Sequence, residues 1–187
     1  MKNTVKINLE NLKGKSYMDR CHLANSFETS SYELDMLVDL LDEKEDDDNY
    51  LKNRIASHRN TSAETLDKLL KINTSYEIPL AIANHKNASA EILDKLSTYR
   101  KYEYIDAYTC SIIRHCVANN KNTSAETLDK LSKDEQFMVR DHVARNENTT
   151  AETLDRLSKD ENSTVRYCVS KNKNTPAETL DKMQSVA

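Results

Sequence analysis

The chain has 187 residues and a formal net charge of −4, and 37% of its residues are hydrophobic, 6% aromatic and 31% charged. It holds one glycine and two prolines, which excludes most of the turn chemistry of an all-β protein and favours an all-α fold with a thin, repetitive core. No apolar stretch approaches the roughly 20 residues of a membrane span, and no signal peptide is recognisable, so we expect a soluble, cytoplasmic protein without membrane contact.

A ten-residue string recurs along the chain. NTSAETLDKL stands at 60–69 and again at 122–131, with related strings at 28–37, 87–96, 148–157 and 174–183. The regular spacing is 26 or 27 residues, which is typical of a helical solenoid in which each unit buries the next. Two longer intervals place insertions near 42–48 and 98–110. We therefore predict an N-terminal segment or cap at 1–17 and a single helical-repeat domain at 18–187.

The recurring string has the pattern of a short helix. A threonine followed three residues later by glutamate predicts a capping box, with Thr61, Thr123, Thr149 and Thr175 as caps. Ala88 takes the place of this threonine in one copy, which should cost about 1 kcal/mol and let that helix fray. Ala125, Leu128 and Leu131 show the three-residue spacing of a buried stripe.

A second short helix precedes each string. In register, IIRHCVANN (112–120), VRDHVARN (139–146) and VRYCVSKN (165–172) place apolar residues four apart. Asparagine near the end of this helix is expected to adopt the left-handed conformation, and His58 and His85, in the same column, are predicted turn residues. The prediction is six helical pairs whose buried residues are Leu66, Leu69, Leu128, Leu131, Leu154, Leu157, Val117, Val143 and Val169.

The combined pattern [VI]-R-x-x-V-A-x-N-x-N-T-P-A-E-x-L-x-x-L, over about residues 18–183, resembles the variant leucine-rich repeat family and, more distantly, HEAT repeats. The resemblance implies a right-handed superhelix, an α-solenoid of alternating α- and 3₁₀-helices, and protein binding as the commonest role. Some members carry a Cys-rich iron–sulfur segment at the N-terminus. Residues 1–49 contain only Cys21, so we expect no such cofactor.

Basic residues recur at one position of the first helix of each pair. Such a column could follow a nucleic-acid backbone, with Arg114, Arg140 and Arg166 as phosphate ligands. Asp134 and Asp160 lie six residues before Arg140 and Arg166, a spacing at which HEAT-like repeats form Asp–Arg pairs between neighbours. Structural pairing is favoured over nucleic-acid binding, which stays the alternative function. The column consists of Arg20, Lys52, Arg114, Arg140 and Arg166, with Pro79 interrupting it.

The next column mixes histidine and cysteine, but adjacent helices lie roughly 8–10 Å apart, too far for a zinc ion that needs its ligands within about 2.3 Å. Four cysteines without C-x-x-C favour reduced, partly buried thiols. No Gly-rich phosphate loop and no G-x-S-x-G is present. We therefore expect no metal, no cofactor and no enzyme. A helical-repeat enzyme of the DNA-glycosylase kind, which needs an acidic residue and aromatics converging on a concave face, remains a third class.

The insertion at 98–110 is rich in tyrosine. Tyrosine and arginine dominate protein-binding hot spots, which makes this segment the predicted partner site, although its tyrosines could equally pack on the array itself as part of a longer helix. The acidic run at 42–48 is interpreted as a solvated loop. The sequence thus favours a non-catalytic protein–protein interaction module, an adaptor or surface-occupying inhibitor whose partner is another protein. Its predicted partner-binding residues are Tyr99, Arg100, Lys101, Tyr102, Tyr104 and Tyr108.

Overall fold

The computed structural model describes residues 9–41, 49–73, 75–99 and 107–185. Over these ranges the protein is all-α, as predicted, with thirteen α-helices and no strand. None of the helices in these ranges is both long enough and apolar enough to cross a membrane. The helices are α1 (Leu9–Lys13), α2 (Tyr17–Asn25), α3 (Ser31–Val38), α4 (Asn49–Ser57), α5 (Ala63–Lys71), α6 (Glu77–Ala83), α7 (Ala90–Ser97), α8 (Ala107–Asn119), α9 (Ala125–Leu131), α10 (Phe137–Arg145), α11 (Ala151–Leu157), α12 (Ser163–Lys171) and α13 (Ala177–Ser185).

Residue contacts divide the chain into two compact units, Met1–Asn87 and Ala88–Ala187. In the first unit α2, α4 and α6 pack side by side, and α3 packs against α5. In the second, α8, α10 and α12 pack side by side, and α7 packs against α9. We call the even-numbered helices from α2 to α12 the A helices and the odd-numbered helices from α3 to α13 the B helices. In the sequence register, each A helix is followed by one B helix.

The B helices begin one residue later than predicted. Ser124 is the N-cap of α9, and its hydroxyl accepts a hydrogen bond from the Thr127 backbone N–H at 3.1 Å. The hydroxyl of Thr123, the predicted cap, instead donates to the Val117 carbonyl in the preceding A helix. The same correction applies to Thr61 and Thr149, whose neighbours Ser62 and Thr150 are the caps.

Helix α7 shows a further consequence of this shift. Its cap is Ser89, whose hydroxyl accepts from the Ile92 backbone N–H at 3.3 Å, so the predicted loss of a cap at Ala88 was wrong. Ala88 is fully buried, where a small apolar side chain suits the space. This helix therefore has the same cap chemistry as its neighbours.

The predicted core is confirmed at all nine of its positions. The six predicted core leucines are 0–3% exposed, and Val117, Val143 and Val169 are 0% exposed. The stripe of α9 differs in one member, because Ala125 is exposed and Thr127 is buried instead. Threonine takes this place because its hydroxyl donates to Asp94 at 2.8 Å.

Two local expectations were wrong. No described residue has a positive φ, and Asn146 and Asn172 have φ of −69° and −74°. Their side chains explain their presence: Asn146 Nδ2 donates to the carbonyls of Ala118 and Asn120 at 2.7 and 3.0 Å, joining successive pairs.

The second concerns the type of helix. The described B helices are α-helices and not the 3₁₀-helices that the resemblance implied, as shown by the hydrogen bond from Leu128 N to the carbonyl four residues earlier, Ser124 O.

His58 and His85 are turn residues, as predicted, and they also join successive pairs in the first unit. His85 Nδ1 accepts from the Asn87 backbone N–H at 3.0 Å, which leaves Nε2 to donate to the His58 carbonyl at 2.9 Å. These contacts are equivalent to those of Asn146, since each side chain accepts from its own turn and donates to the preceding one. Burial is the main reason that the pKa of His85 is lowered, which favours this neutral form.

Candidate protein-interaction surface

The arginine column forms buried ion pairs. Arg114 Nε and Nη2 donate to the carboxylate of Asp134 at 2.6 and 3.1 Å, and the two side chains are 3% and 4% exposed. Arg140 binds Asp160 in the same way at 2.7 and 3.0 Å. The ion pairs therefore join residues 20 positions apart, and the six-residue pairing predicted for Asp134 and Arg140 is a bond to the backbone carbonyl, at 2.8 Å.

The other members of the column differ. Lys52 is 1% exposed, and Arg20 Nη2 donates to the Lys13 carbonyl at 3.4 Å. Arg166 Nη1 donates to the carbonyls of Asp160 and Glu161 at 2.7 and 3.0 Å. Within the described ranges no carboxylate pairs with Arg166. Of the three predicted phosphate ligands, two are thus held by carboxylates inside the protein.

The Tyr-rich insertion is only partly described. Arg100, Lys101, Tyr102 and Tyr104 lie outside the described residues, so their predicted role stays a prediction. Tyr99 is half-buried, and its carbonyl accepts from Arg114 Nη1 at 3.3 Å. Tyr108 lies on α8 and is 61% exposed. Helix α8 has 13 residues where α10 has nine, so the end of the insertion extends an A helix.

Sequence reasoning missed a more regular feature of the A helices. Every A helix carries one exposed aromatic side chain, either within the helix or, for α6, at its N-cap. The signal was present in the sequence, but it becomes visible only when the A helices are aligned, because the position of the aromatic shifts within the helix. These residues, with their exposed fractions, are Tyr17 41%, Tyr50 55%, Tyr76 43%, Tyr108 61%, Phe137 41% and Tyr167 60%.

The B helices do not share this feature. Among the described residues the remaining exposed aromatics are Phe27, which follows α2, and Tyr32 on α3. The exposed positions of the B helices carry charged residues instead, as in Glu126 and Lys130 of α9, which form an i,i+4 ion pair. Aromatic exposure is therefore concentrated on one row of helices in each unit.

In the second unit side-chain contacts join successive A helices. The rings of His115 on α8 and His142 on α10 stack, with centroids 4.9 Å apart and planes at 14°. The thiol of Cys168 on α12 donates to Asp141 on α10 at 2.8 Å. We call the exposed surface of these three helices, which carries Tyr108, Phe137 and Tyr167, the A face.

Charged groups border the aromatics of the A face. Lys171 Nζ lies 5.4 Å from the centroid of the Tyr167 ring, a cation–π geometry. Arg145 is 54% exposed and binds Asp141 at 3.0 Å. Rigid aromatic side chains beside arginine are the composition of protein-binding hot spots.

The two stacked histidines and the cysteine of the A helices in this unit favour their neutral forms. Burial lowers the pKa of His115 and of His142. Burial and the hydrogen bond to Asp141 raise the pKa of the Cys168 thiol to about 11, so it is not an activated nucleophile. All four cysteines are buried thiols that form no disulfide with one another. Within the described residues no three His, Cys, Asp or Glu side chains are grouped so that they could hold a metal ion.

In comparisons with known proteins, no family model, no curated protein and no solved structure matches the chain. The class that the structure itself defines is an all-α protein of paired short helices, joined by amide, hydroxyl and carboxylate bonds between successive pairs. Its most distinctive surface feature is the exposed aromatic side chain that each A helix carries within the helix or at its N-cap.

Proposed function

We propose that the protein is a non-catalytic protein–protein interaction module, an adaptor or a surface-occupying inhibitor, built as a right-handed α-solenoid of six helical pairs of the variant leucine-rich repeat type. The single observation that carries this proposal is the exposed aromatic side chain on every A helix. Six such residues at 41–61% exposure are not required by a core that is already filled by leucine and valine.

The A face of the second unit is the proposed binding surface. Tyrosine offers a large contact area at a low cost in conformational entropy, and Tyr108 and Phe137 lie on the same surface as the basic residues Arg145 and Lys171. A protein partner with an apolar segment and acidic flanks suits this combination. The Tyr-rich insertion, through Tyr102 and Tyr104, is proposed to extend the same site beyond α8.

The test is quantitative capture of partners from a native lysate with the full chain as bait. A variant with Tyr108, Phe137 and Tyr167 changed to Ser should lose the partners that the unchanged chain retains. A second variant, with Tyr102 and Tyr104 changed to Ala, should weaken binding by several kcal/mol. In both, the melting temperature should move little, because the altered side chains are proposed to face solvent.

The matched control is a variant with Phe27 and Tyr32 changed to Ser. These residues are 79% and 67% exposed, so the control removes comparable aromatic surface away from the A helices. Equal loss of partners in control and A-face variants would contradict the assignment of the surface. Unchanged capture with a lowered melting temperature would show that the A-face aromatics stabilise the fold and that the partner binds elsewhere.

A further inference from the structure

His115 on α8 and His142 on α10 form a contact that the proposed function does not use. We call them the histidine pair. Their rings are stacked, with centroids 4.9 Å apart and planes at 14°. The Nδ1 atom of each ring is removed from solvent and has no hydrogen-bond partner among the described residues. Protonation makes Nδ1 of an imidazole an N–H donor, so an imidazolium in this contact would bury a charged donor without an acceptor.

The carboxylate nearest to the histidine pair along the chain is already engaged. Asp141 on α10 accepts from Arg145 Nε at 3.0 Å and from the Cys168 thiol on α12 at 2.8 Å. Burial is the main cause of the lowered pKa of both rings. At His142, Asp141 raises the pKa and Arg145 lowers it, and at His115 the positive charge of His142 lowers it further. The charges beside the pair therefore do not offset the cost of burying an imidazolium.

The other helices packed against α8 and α10 are α7, α9, α11 and α12. Lys171 of α12 lies over the Tyr167 ring. Among the described residues, no charged side chain of these four helices shifts the pKa of either histidine. The charged side chains of α7 to α11 that form ion pairs away from the rings are Asp94, Arg114, Asp129, Lys130, Arg140 and Arg156.

We propose that the histidine pair is a pH-dependent switch in the contact between α8 and α10. At neutral pH the two uncharged rings close the contact. In mild acid both rings are protonated, turn out into solvent and open the contact locally. The remaining ties between the two helices persist, because neither an amide nor a guanidinium changes its charge in this range. These ties are Asn146 to the Ala118 and Asn120 carbonyls and Arg114 to Asp134.

The pH range follows from the closed and open states of each ring. A solvated histidine in the open state has a pKa of about 6.5, whereas burial lowers the pKa in the closed state. The closed state is therefore fully favoured above about pH 6.5 and is progressively lost as the pH falls below it. One unit lower, each ring that only the open state protonates favours opening by about tenfold, so both together favour it by about 100-fold.

The switch is placed to act on the A face. Tyr108 and His115 are seven residues apart, which is close to two helical turns, so they lie on the same side of α8. Phe137 lies on α10, and a partner that contacts both Tyr108 and Phe137 spans the contact that opens. The switch rests on contacts within the chain, while its effect on a partner rests on the function proposed above. Acid should weaken such a partner's binding.

NMR spectroscopy of the full chain tests the switch without any partner. His85 is replaced by Asn in every sample, since its pKa is also lowered. A nuclear Overhauser effect between the two stacked rings should be present at about pH 7.5 and absent at about pH 5.5. Amide exchange in α8 and α10, corrected for the intrinsic effect of pH, should rise by up to about 100-fold between these values. Exchange in α3, in the first unit, should not change.

Two variants in the same background provide the controls. H115Q/H142Q has no titratable group in the contact, so exchange in α8 and α10 should not depend on pH. H142F keeps a ring and one histidine and should show a rise of about tenfold. An equal rise in H115Q/H142Q and in the chain with both histidines would overturn the proposal, as would rings that are protonated and still stacked. Should H115Q/H142Q fail to fold, the ring titration and the Overhauser effect decide, because they need neither substitution.

Partner capture at the same two pH values tests the effect on binding. Partners that depend on the A-face aromatics should be retained at about pH 7.5 and released at about pH 5.5, and H115Q/H142Q should retain them at both. Equal retention by the chain with both histidines at the two pH values would overturn the regulatory role. A chain that captures no such partner at neutral pH would contradict the proposed function, and the NMR result would still decide the switch.

Discussion

At the scale of single residues, the buried arginine–aspartate pairs dominate the electrostatics. Arg114 and Asp134 are almost completely removed from solvent, and a charge left alone there would be strongly destabilising. Asp134→Asn removes the charge and keeps an oxygen for the Gln136 backbone N–H, which donates to Asp134 at 2.9 Å. We expect this change to lower the free energy of unfolding by about 3–5 kcal/mol, measured by urea denaturation at neutral pH.

Arg166 supplies the matched comparison for this prediction. It has the same backbone anchors but no carboxylate among the described residues, so Arg166→Ala should cost about 1 kcal/mol, the loss of solvent-accessible hydrogen bonds. Equal costs for the two changes would show that the ion pair contributes no more than the backbone bonds, and the role given to Asp134 would then be wrong.

The same pairs show how far residue-level reasoning could go. The sequence predicted that arginine and aspartate pair inside the protein, because both recur in register with the repeat. It assigned the aspartate six residues away, since nothing in the order of residues says which neighbouring pair a side chain reaches. Arg140 contacts both candidates, because it donates to the backbone carbonyl of Asp134 and to the carboxylate of Asp160. Only the packing of successive A helices distinguishes the two.

At the scale of helices, the contact between α8 and α10 is expected to be sensitive to pH. The stacked rings of His115 and His142 both have lowered pKa values because of burial, and each has a buried Nδ1 with no hydrogen-bond partner among the described residues. The charged groups near them are Asp141 and Arg145 on α10, while α12 contributes the neutral thiol of Cys168 through Asp141. Protonation would place two like charges 4.9 Å apart.

The sign of this effect follows from linkage. Below the unfolded-state pKa of about 6.5, the unfolded chain binds protons that the folded protein resists, so the stability falls as the pH drops from there through the lowered folded pKa. We expect the melting temperature to fall over this range and to be constant above it. The pKa of His85 is also lowered, so His85 would contribute to the same decrease. The melting temperature is therefore measured in a variant in which His85 is replaced by Asn, the residue at the equivalent position in later pairs.

The control for this prediction is a change of His142 to Gln in the His85→Asn background. It removes one member of the stack and should flatten the decrease in melting temperature between about pH 6.5 and the acidic limit set by the carboxylates. A pH profile that is unchanged by the removal of His142 would mean that the stacked pair does not control the stability of this contact.

Helix positions were largely predictable, while their first residues were not. Leucines three residues apart define a helix with one buried side, and their burial follows from that spacing. The cap is less certain because Thr123 and Ser124 both offer a hydroxyl beside the helix start. The structure gives the cap to Ser124 since Thr123 is committed to the Val117 carbonyl. The choice depends on the preceding A helix, which a local pattern does not contain.

At the scale of the whole molecule, repetition made the fold class predictable and left the binding surface obscure. The residues that repeat are those that join one pair to the next, such as Asn146 and Asn148. The aromatics of the A helices vary in position, as Phe137 and Tyr167 do, so the repeat pattern hides them. A surface adapted to one partner has no reason to be periodic, and it can be located only once the helices are placed.

The last prediction concerns the alternative function, nucleic-acid binding by the arginine column. Residues 1–49 hold 6 Lys/Arg and 12 Asp/Glu, a net charge of −6, and residues 50–187 hold 21 and 19, a net charge of +2. Neither part is strongly basic, and Arg114 and Arg140 are bound to Asp134 and Asp160. We expect no salt-sensitive affinity for duplex or single-stranded nucleic acid near physiological ionic strength.

Fluorescence anisotropy with labelled DNA and RNA at increasing salt measures this directly. Tight binding that weakens steeply with salt would contradict the expectation, because such a slope counts phosphates neutralised by Lys and Arg. Arg140→Glu separates the two roles of the column. If Arg140 is an internal tie, the change places a carboxylate beside Asp160 and lowers the melting temperature in the absence of any nucleic acid. If Arg140 instead binds phosphate, the change leaves the melting temperature unaltered and reduces only the affinity.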